Sequence, residues 1–450
     1  MNQKTELFET TPIPKAVLSF ALPMMLGMLV TVVYIIVDTF FVAQTGDPNQ
    51  VAAVTICIPV FMICMALGNI FGVGGASYIS RLLGEKDYES AKRTCATAFY
   101  LSIALGAIAT IIMLLLMERI LPIIGTSELT IDFSRKYLLW IASGAATIIL
   151  SYGLGQIVRS VGAAKESMTG MMIGTILNII LDPILIIALG MGVVGAAVAT
   201  VFSNIVSVIF FLWFIVKKDY PLSISPRYFK PNKTILFSVL AIGIPSTLSE
   251  LLMSTSQMVF NYFGSHHGES FLAAYGIISV IVMLPIMAVM GLSQGIQPLV
   301  GYTYAANLHK RLRGVIKFAL CVAVGCATLL TGLIYLVGKS TVNAFMDDAE
   351  VVTLGWYILK RFAWPIPILG LLFVLSTVFQ SLGKGKQALI LSIARQGIVF
   401  LPILFVFNYA FGRDGLIFSS PVADTLSTLL CVALFIPIMI ELRGRFNPDM

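Results

Sequence analysis

Charge is scarce in this chain. Asp, Glu, Lys and Arg make up 11% of its 450 residues, against about 25% in an ordinary soluble domain. With 58% hydrophobic residues and a mean hydropathy of +0.95, a water-soluble fold and a disordered chain are both excluded. Metal and thiol chemistry is thin as well. The six cysteines (Cys57, Cys64, Cys95, Cys321, Cys326 and Cys431) lie in or beside apolar runs. None forms a CxxC pair, so they read as small core side chains rather than disulfide or zinc ligands. His266, His267 and His309 fall in predicted loops, which disfavours an intramembrane metalloenzyme. No GxxxxGK[ST] loop is present, so ATP is not hydrolysed by that route. No convergent nucleophile set marks an enzyme.

What the chain has in abundance is long apolar runs. Polar residues 1–15, with Pro12 and Pro14, lead into the run 16–43. That run is too long for a signal-peptide core, so it is expected to stay as the first helix. The pattern predicts an all-α polytopic membrane protein of twelve transmembrane helices. They fall near 16–43, 51–80, 94–117, 133–158, 167–189, 193–216, 234–262, 271–304, 314–338, 353–380, 387–411 and 416–441.

The net charge is +7. The basic residues are scattered between apolar runs, which excludes a nucleic-acid domain and points to the positive-inside rule. With the N-terminus inside, 22 of the 29 basic residues, from Lys4 and Lys15 to Arg443 and Arg445, fall on inner segments. Both termini are then cytoplasmic.

The longest polar connection, KKDYPLSISPRYFKPNK at 217–233, reads as a linker between two halves. The expected organisation is an N-lobe over 1–216, a cytoplasmic linker over 217–233 and a C-lobe over 234–450. The halves resemble each other. RSVGAAK at 159–165 aligns with QSLGKGK at 380–386, Pro23 with Pro245, and DPIL at 182–185 with LPIL at 401–404. Six helices per half make the repeat parallel and place a substrate path between the lobes.

Four acids lie inside predicted helices: Asp38, Asp182, Glu250 and Asp424. A charge at mid-bilayer costs about 2.5–3.5 kcal/mol even on the lenient insertion scale, so such residues are functional candidates. Asp38, Asp182 and Thr200 fall at one depth, roughly 7–11 Å below the outer helix ends. Asn178 shares a helix face with Asp182, and Tyr137 lies near the outer start of helix four. Such oxygens could ligate a small cation, or the two carboxyls could hold a proton between them. Pro23 and Pro183 mark expected bends. In the second half Leu401 and Gly397 stand opposite Asp182 and Asn178, so the cluster belongs to the first half. Glu250 and Asp424 are candidates for attracting organic cations, with internal pairing, for instance to Arg395, as the bland alternative for either. Met287, among the methionines of helix eight, and Gln257 and Gln294 are candidate lining residues.

These residues resemble the multidrug and toxic compound extrusion (MATE) family, and within it the MepA-type branch of bacterial drug exporters. The resemblance spans essentially the whole chain. It rests on Pro23 with Asp38 fifteen positions later, GGASYISRLLGEKDYESAKR at 74–93, GQIVRSVGAAKES at 155–167, and NIILDPILI at 178–186 with Thr200 beyond. It implies two pseudo-symmetric six-helix lobes in a V shape. It also implies a monomeric antiporter of the bacterial cytoplasmic membrane, exporting cationic amphipathic drugs and dyes in exchange for Na+ or H+, with no other cofactor, and conferring antibiotic resistance. The family's cation site carries over onto Asp38, Asn178, Asp182 and Thr200, with Tyr137 nearby, as Na+ ligands if sodium is the ion. Its helix-one bend carries over onto Pro23, and Glu250 matches an acid of helix seven in some branches. Residues 353–380 contain no Asp or Glu, so the helix-ten aspartate of another branch has no counterpart. The competing reading is a lipid-linked oligosaccharide flippase of the same superfamily. That activity needs a basic groove, whereas Arg395 is the main basic group in this interior.

Overall fold

A computed structural model of the chain describes residues 3–345 and 349–444. Arg445 and the outermost ends of the two expected lobes lie outside the described residues. Every regular element among the described residues is helical. Lipid offers no hydrogen bonds, so each apolar segment must satisfy its own backbone.

Eight spans are single helices: Ile13–Ala43, Pro48–Gly84, Tyr88–Leu115, Ala164–Ala188, Val193–Lys217, Lys233–Ser265, Ser270–Ala305 and His309–Asn343. Two more are broken. Ile131–Ser143 meets Ala145–Ser160 at 53°, and Val351–Ala363 meets Ile366–Ser381 at 42°. The first break falls at Gly144, where a β-carbon would strike Val201. The second falls at Pro365, which has no amide proton to continue the ladder. The last stretch, Gly385–Glu441, is continuous by hydrogen bonding but passes through Gly412 at φ 57°, ψ −131°. Its 57 residues would reach about 86 Å, far beyond the ~30 Å of hydrocarbon, so it counts as two spans. The described residues thus contain the twelve expected spans, two of them bent where the sequence reading drew straight helices. Two short helices, Gln3–Glu9 and Met117–Ile123, were not expected.

The outer surface is apolar. Leu115, Leu329 and Leu336 are each more than 70% exposed, the reverse of a soluble protein and the arrangement lipid requires. Four of the six cysteines are buried as expected; Cys321 is exposed and Cys326 half-buried.

Contacts divide the chain into two compact units that are not simple halves. One is Leu29–Thr247; the other joins Met1–Met28 to Leu248–Met450 and is called the C-terminal unit below. The 217–233 connection and the start of helix seven therefore pack with the Leu29–Thr247 unit. The connection is fastened there by Tyr100, whose hydroxyl donates to the Ile224 carbonyl at 3.0 Å and whose ring meets Phe229 at 5.0 Å.

Glycine explains why two helices change allegiance midway. In the Leu29–Thr247 unit, Lys233–Ser265 lies backbone to backbone on Pro48–Gly84. A β-carbon on Gly243 would land on the Ile70 carbonyl oxygen, and one on Gly74 on the Val239 carbonyl. In the C-terminal unit the start of Ile13–Ala43 lies equally close to Ser270–Ala305. There a β-carbon on Gly291 would sit 2.7 Å from the Met24 oxygen, and one on Gly295 2.6 Å from the Phe20 oxygen. Small residues four apart are how membrane helices approach closely. We predict that Gly243→Ala lowers the unfolding temperature in detergent by about 5 °C or more through overpacking. Gly276→Ala is expected to leave it unchanged, since nothing lies within 4 Å of that added carbon. Equal effects at both positions would contradict the packing argument.

Candidate functional site

Asp182 is the last α-helical residue of Ala164–Asp182, and Pro183 follows it without an amide proton. The helix continues as a wider π turn, Pro183–Ala188, in which the Leu189 amide reaches back to the Ile184 carbonyl at 2.9 Å. Such turns gather at functional sites. Gly190 and Gly192, both at positive φ, then reverse the chain into Val193–Lys217. Gly195 lets that helix press on the backbone of Leu185 and Ile186. The reversal sets Thr200 against Asn178.

Asn178, Asp182, Thr200 and Tyr137 are all buried. With its amide assigned from its neighbours, the Asn178 side chain donates to Asp182 Oδ2 at 3.2 Å and accepts the Thr200 backbone N–H at 3.1 Å. The Asn204 side chain donates to the Thr200 carbonyl at 2.8 Å. Asp38, five residues from the end of Ile13–Ala43, brings its carboxyl group beside that of Asp182. Asp182 Oδ1 is fully buried and has no hydrogen-bond partner among the described residues. Tyr137 and Tyr34 lie within electrostatic reach of both acids. The five residues expected in the N-lobe cluster are thus neighbours within the Leu29–Thr247 unit. Thr200 enters through its main-chain N–H and carbonyl. The sequence reading offered Tyr34 only as a polar residue that could line the path, not as a neighbour of the acids, although it precedes Asp38 by four residues and so shares its helix face.

Two carboxyl groups can hydrogen-bond only through a shared proton, and a small cation could replace it. An Asn178 amide can offer either its NH2 to a carboxylate or its oxygen to a cation, according to which way it is turned.

The expected substrate residues fall in the C-terminal unit. The Gln257 side chain donates to the Tyr275 hydroxyl at 2.7 Å and to Asn261 Oδ1 at 3.2 Å. Tyr275 belongs to an aromatic group with Phe260, Phe271 and Phe362 that the sequence reading missed. Glu250, Met287 and Gln294 are half-buried. Asp424 is engaged by Arg395, whose nitrogens donate to it at 3.3 Å. Its charge is therefore compensated internally. Pro23 is buried within the same unit.

Twelve apolar spans with polar groups gathered inside them define a polytopic membrane protein. The MatE family profile matches residues 23–184 and again 245–406, and the chain belongs to that family. The two matches open on Pro23 and Pro245, so the internal repeat is real. The multidrug export protein MepA of Staphylococcus aureus (strain MSSA476) is 36% identical over 449 residues, covering 100% of this chain and 98% of that protein. Among solved structures, an outward-facing multidrug resistance MATE family transporter of the MOP superfamily aligns at a TM-score of 0.92 with 28% identity over 99% of each chain. A MOP superfamily transporter from Pyrococcus furiosus aligns at 0.91 with 27% identity over 99% of each chain. Its solvers describe a binding pocket of reverse polarity that suggests a different function.

The Asn178 contact makes a measurable claim. Asn178→Ala is expected to cost about 1–3 kcal/mol by leaving a buried carboxyl oxygen without its donor. In an Asp182→Asn background the cost is expected to shrink, and thermal unfolding of the four proteins reads the coupling. Identical costs in both backgrounds would show that the two side chains do not interact.

Proposed function

We propose that the protein is a secondary active multidrug efflux antiporter. It resides in the bacterial cytoplasmic membrane with both termini inside and works as a monomer. It exports cationic amphipathic drugs in exchange for H+ or Na+. The observation that carries this reading is the buried Asp38–Asp182 pair with Asn178 beside it. Membership of the MatE family and similarity to a multidrug export protein support it.

In this reading the pair takes up a proton or cation from outside and releases it inside. Occupied, Asp38 and Asp182 attract each other through the shared ion; emptied, they are like charges and part. Asp38 rides on Ile13–Ala43, where Pro23 interrupts the hydrogen-bond ladder, so that helix can bend as the pair changes state. Each positive charge moving inward through 100 mV supplies about 2.3 kcal/mol. Binding of drug and ion to different conformations exchanges access across the membrane. Glu250 is the counter-charge for cationic drugs. The flippase reading is disfavoured because Arg395, the basic group it would need, is neutralised by Asp424.

In everted vesicles, dye efflux driven by an imposed ion gradient is expected to fall to background in both Asp38→Asn and Asp182→Asn, at unchanged protein level. Wild-type rates in both would remove the coupling role. Collapsing the H+ and Na+ gradients separately identifies the ion. Glu250→Gln is expected to slow monocationic dyes about tenfold and to spare neutral ones; an unchanged spectrum contradicts its counter-charge role.

A further inference from the structure

Arg395 and Asp424 face each other deep in the C-terminal unit. Arg395 Nε and Nη2 both donate to Asp424 Oδ1 at 3.3 Å, and each side chain is 17% exposed. The guanidinium also lies over the Phe373 ring at 5.0 Å. Arg395 stands ten residues into the span that begins at Gly385, about 15 Å from its end. Desolvating two charges at that depth costs more than an apolar pair of the same size, which would join these helices at least as well.

The backbone around the pair is irregular too. Arg395 is the second residue of a π turn, Ala394–Phe400, and the neighbouring Gln396 carbonyl accepts the Ser256 hydroxyl at 3.1 Å. Leu252, from the helix of Glu250, lies 3.9 Å from where a Gly397 β-carbon would stand. The helix that carries Glu250 therefore adjoins the π turn that carries Arg395. The pair meets through one carboxylate oxygen, so Asp424 Oδ2 and Arg395 Nη1 take no part in the bond.

We propose that the Arg395–Asp424 pair is a specificity site that accepts zwitterionic amino-carboxylates and turns away plain monocations. This rests on the export function proposed above and names a substrate class for it. A monocation that took Asp424 would strip Arg395 of its partner and leave a buried charge uncompensated. An amino-carboxylate compensates both. Its carboxylate takes the Nη1 edge of Arg395, its ammonium takes Asp424 Oδ2, and the four charges alternate in sign. The repulsive element supplies selectivity as much as the attractive one. Monocations are left to Glu250.

The test uses full-length protein in proteoliposomes and two probes, a carboxyl-bearing zwitterionic rhodamine and its monocationic methyl ester. The double variant Arg395→Gln/Asp424→Asn is expected to lose transport of the zwitterion about tenfold and to keep the ester within about twofold of wild type. The single variant Arg395→Gln, which frees Asp424, is expected to improve ester transport several-fold. Retained ester transport is the check on folding. An unchanged zwitterion-to-ester ratio in the double variant overturns the proposal, as does equal loss of both dyes, which would make the pair structural. Failure of the wild type to export the ester would instead contradict the export function itself.

Discussion

Two carboxyl groups set against each other at lipid depth are stable only while something positive lies between them. Asp38 and Asp182 are in that position, and the local structure around them serves to hold one of the two still. Pro183 ends the α-helical ladder beside Asp182, the π turn and two glycines return the chain, and Asn178 bridges from Asp182 to the Thr200 main chain. Asp38, by contrast, comes from a helix that carries a proline fifteen residues earlier. In the proposed cycle, a fixed acid facing an acid on a bendable helix would convert ion occupancy into shape.

The chemistry is divided between the two compact units. Leu29–Thr247 holds two neighbouring acids, Asp38 and Asp182. The C-terminal unit holds an acid and a base that compensate each other. Glycine contacts assign the start of the first span to the C-terminal unit and the start of the seventh to Leu29–Thr247. The first span therefore has its proline in one unit and Asp38 in the other, so the covalent chain itself links the two.

Much of this was legible in the sequence because membrane burial makes polar residues conspicuous. The twelve spans followed from apolar length. Asp38, Asn178, Asp182, Thr200 and Tyr137 could be grouped because helix rise fixes depth and a four-residue spacing fixes face. The repeat could be read from Pro23 and Pro245. Other features depend on contacts that spacing does not encode. The breaks at Gly144 and Pro365 hide within continuous apolar runs. The glycines that reassign two half-helices resemble any other glycine until their partners are known. For Asp424 the sequence offered both a counter-charge role and pairing with Arg395, and the structure shows the pair. Tyr34 could be read as a polar helix residue suited to lining a path, but its place beside the two acids depends on how the helices pack.

The central claim is that the Asp38–Asp182 pair exchanges an ion between two carboxyls. Infrared difference spectroscopy on the purified protein tests it most directly. Adding drug to the ion-loaded protein is predicted to perturb a protonated-carboxyl or ion-ligated carboxylate band that is missing from Asp182→Asn. A spectrum with no carboxyl change, or one identical in wild type and variant, would contradict it.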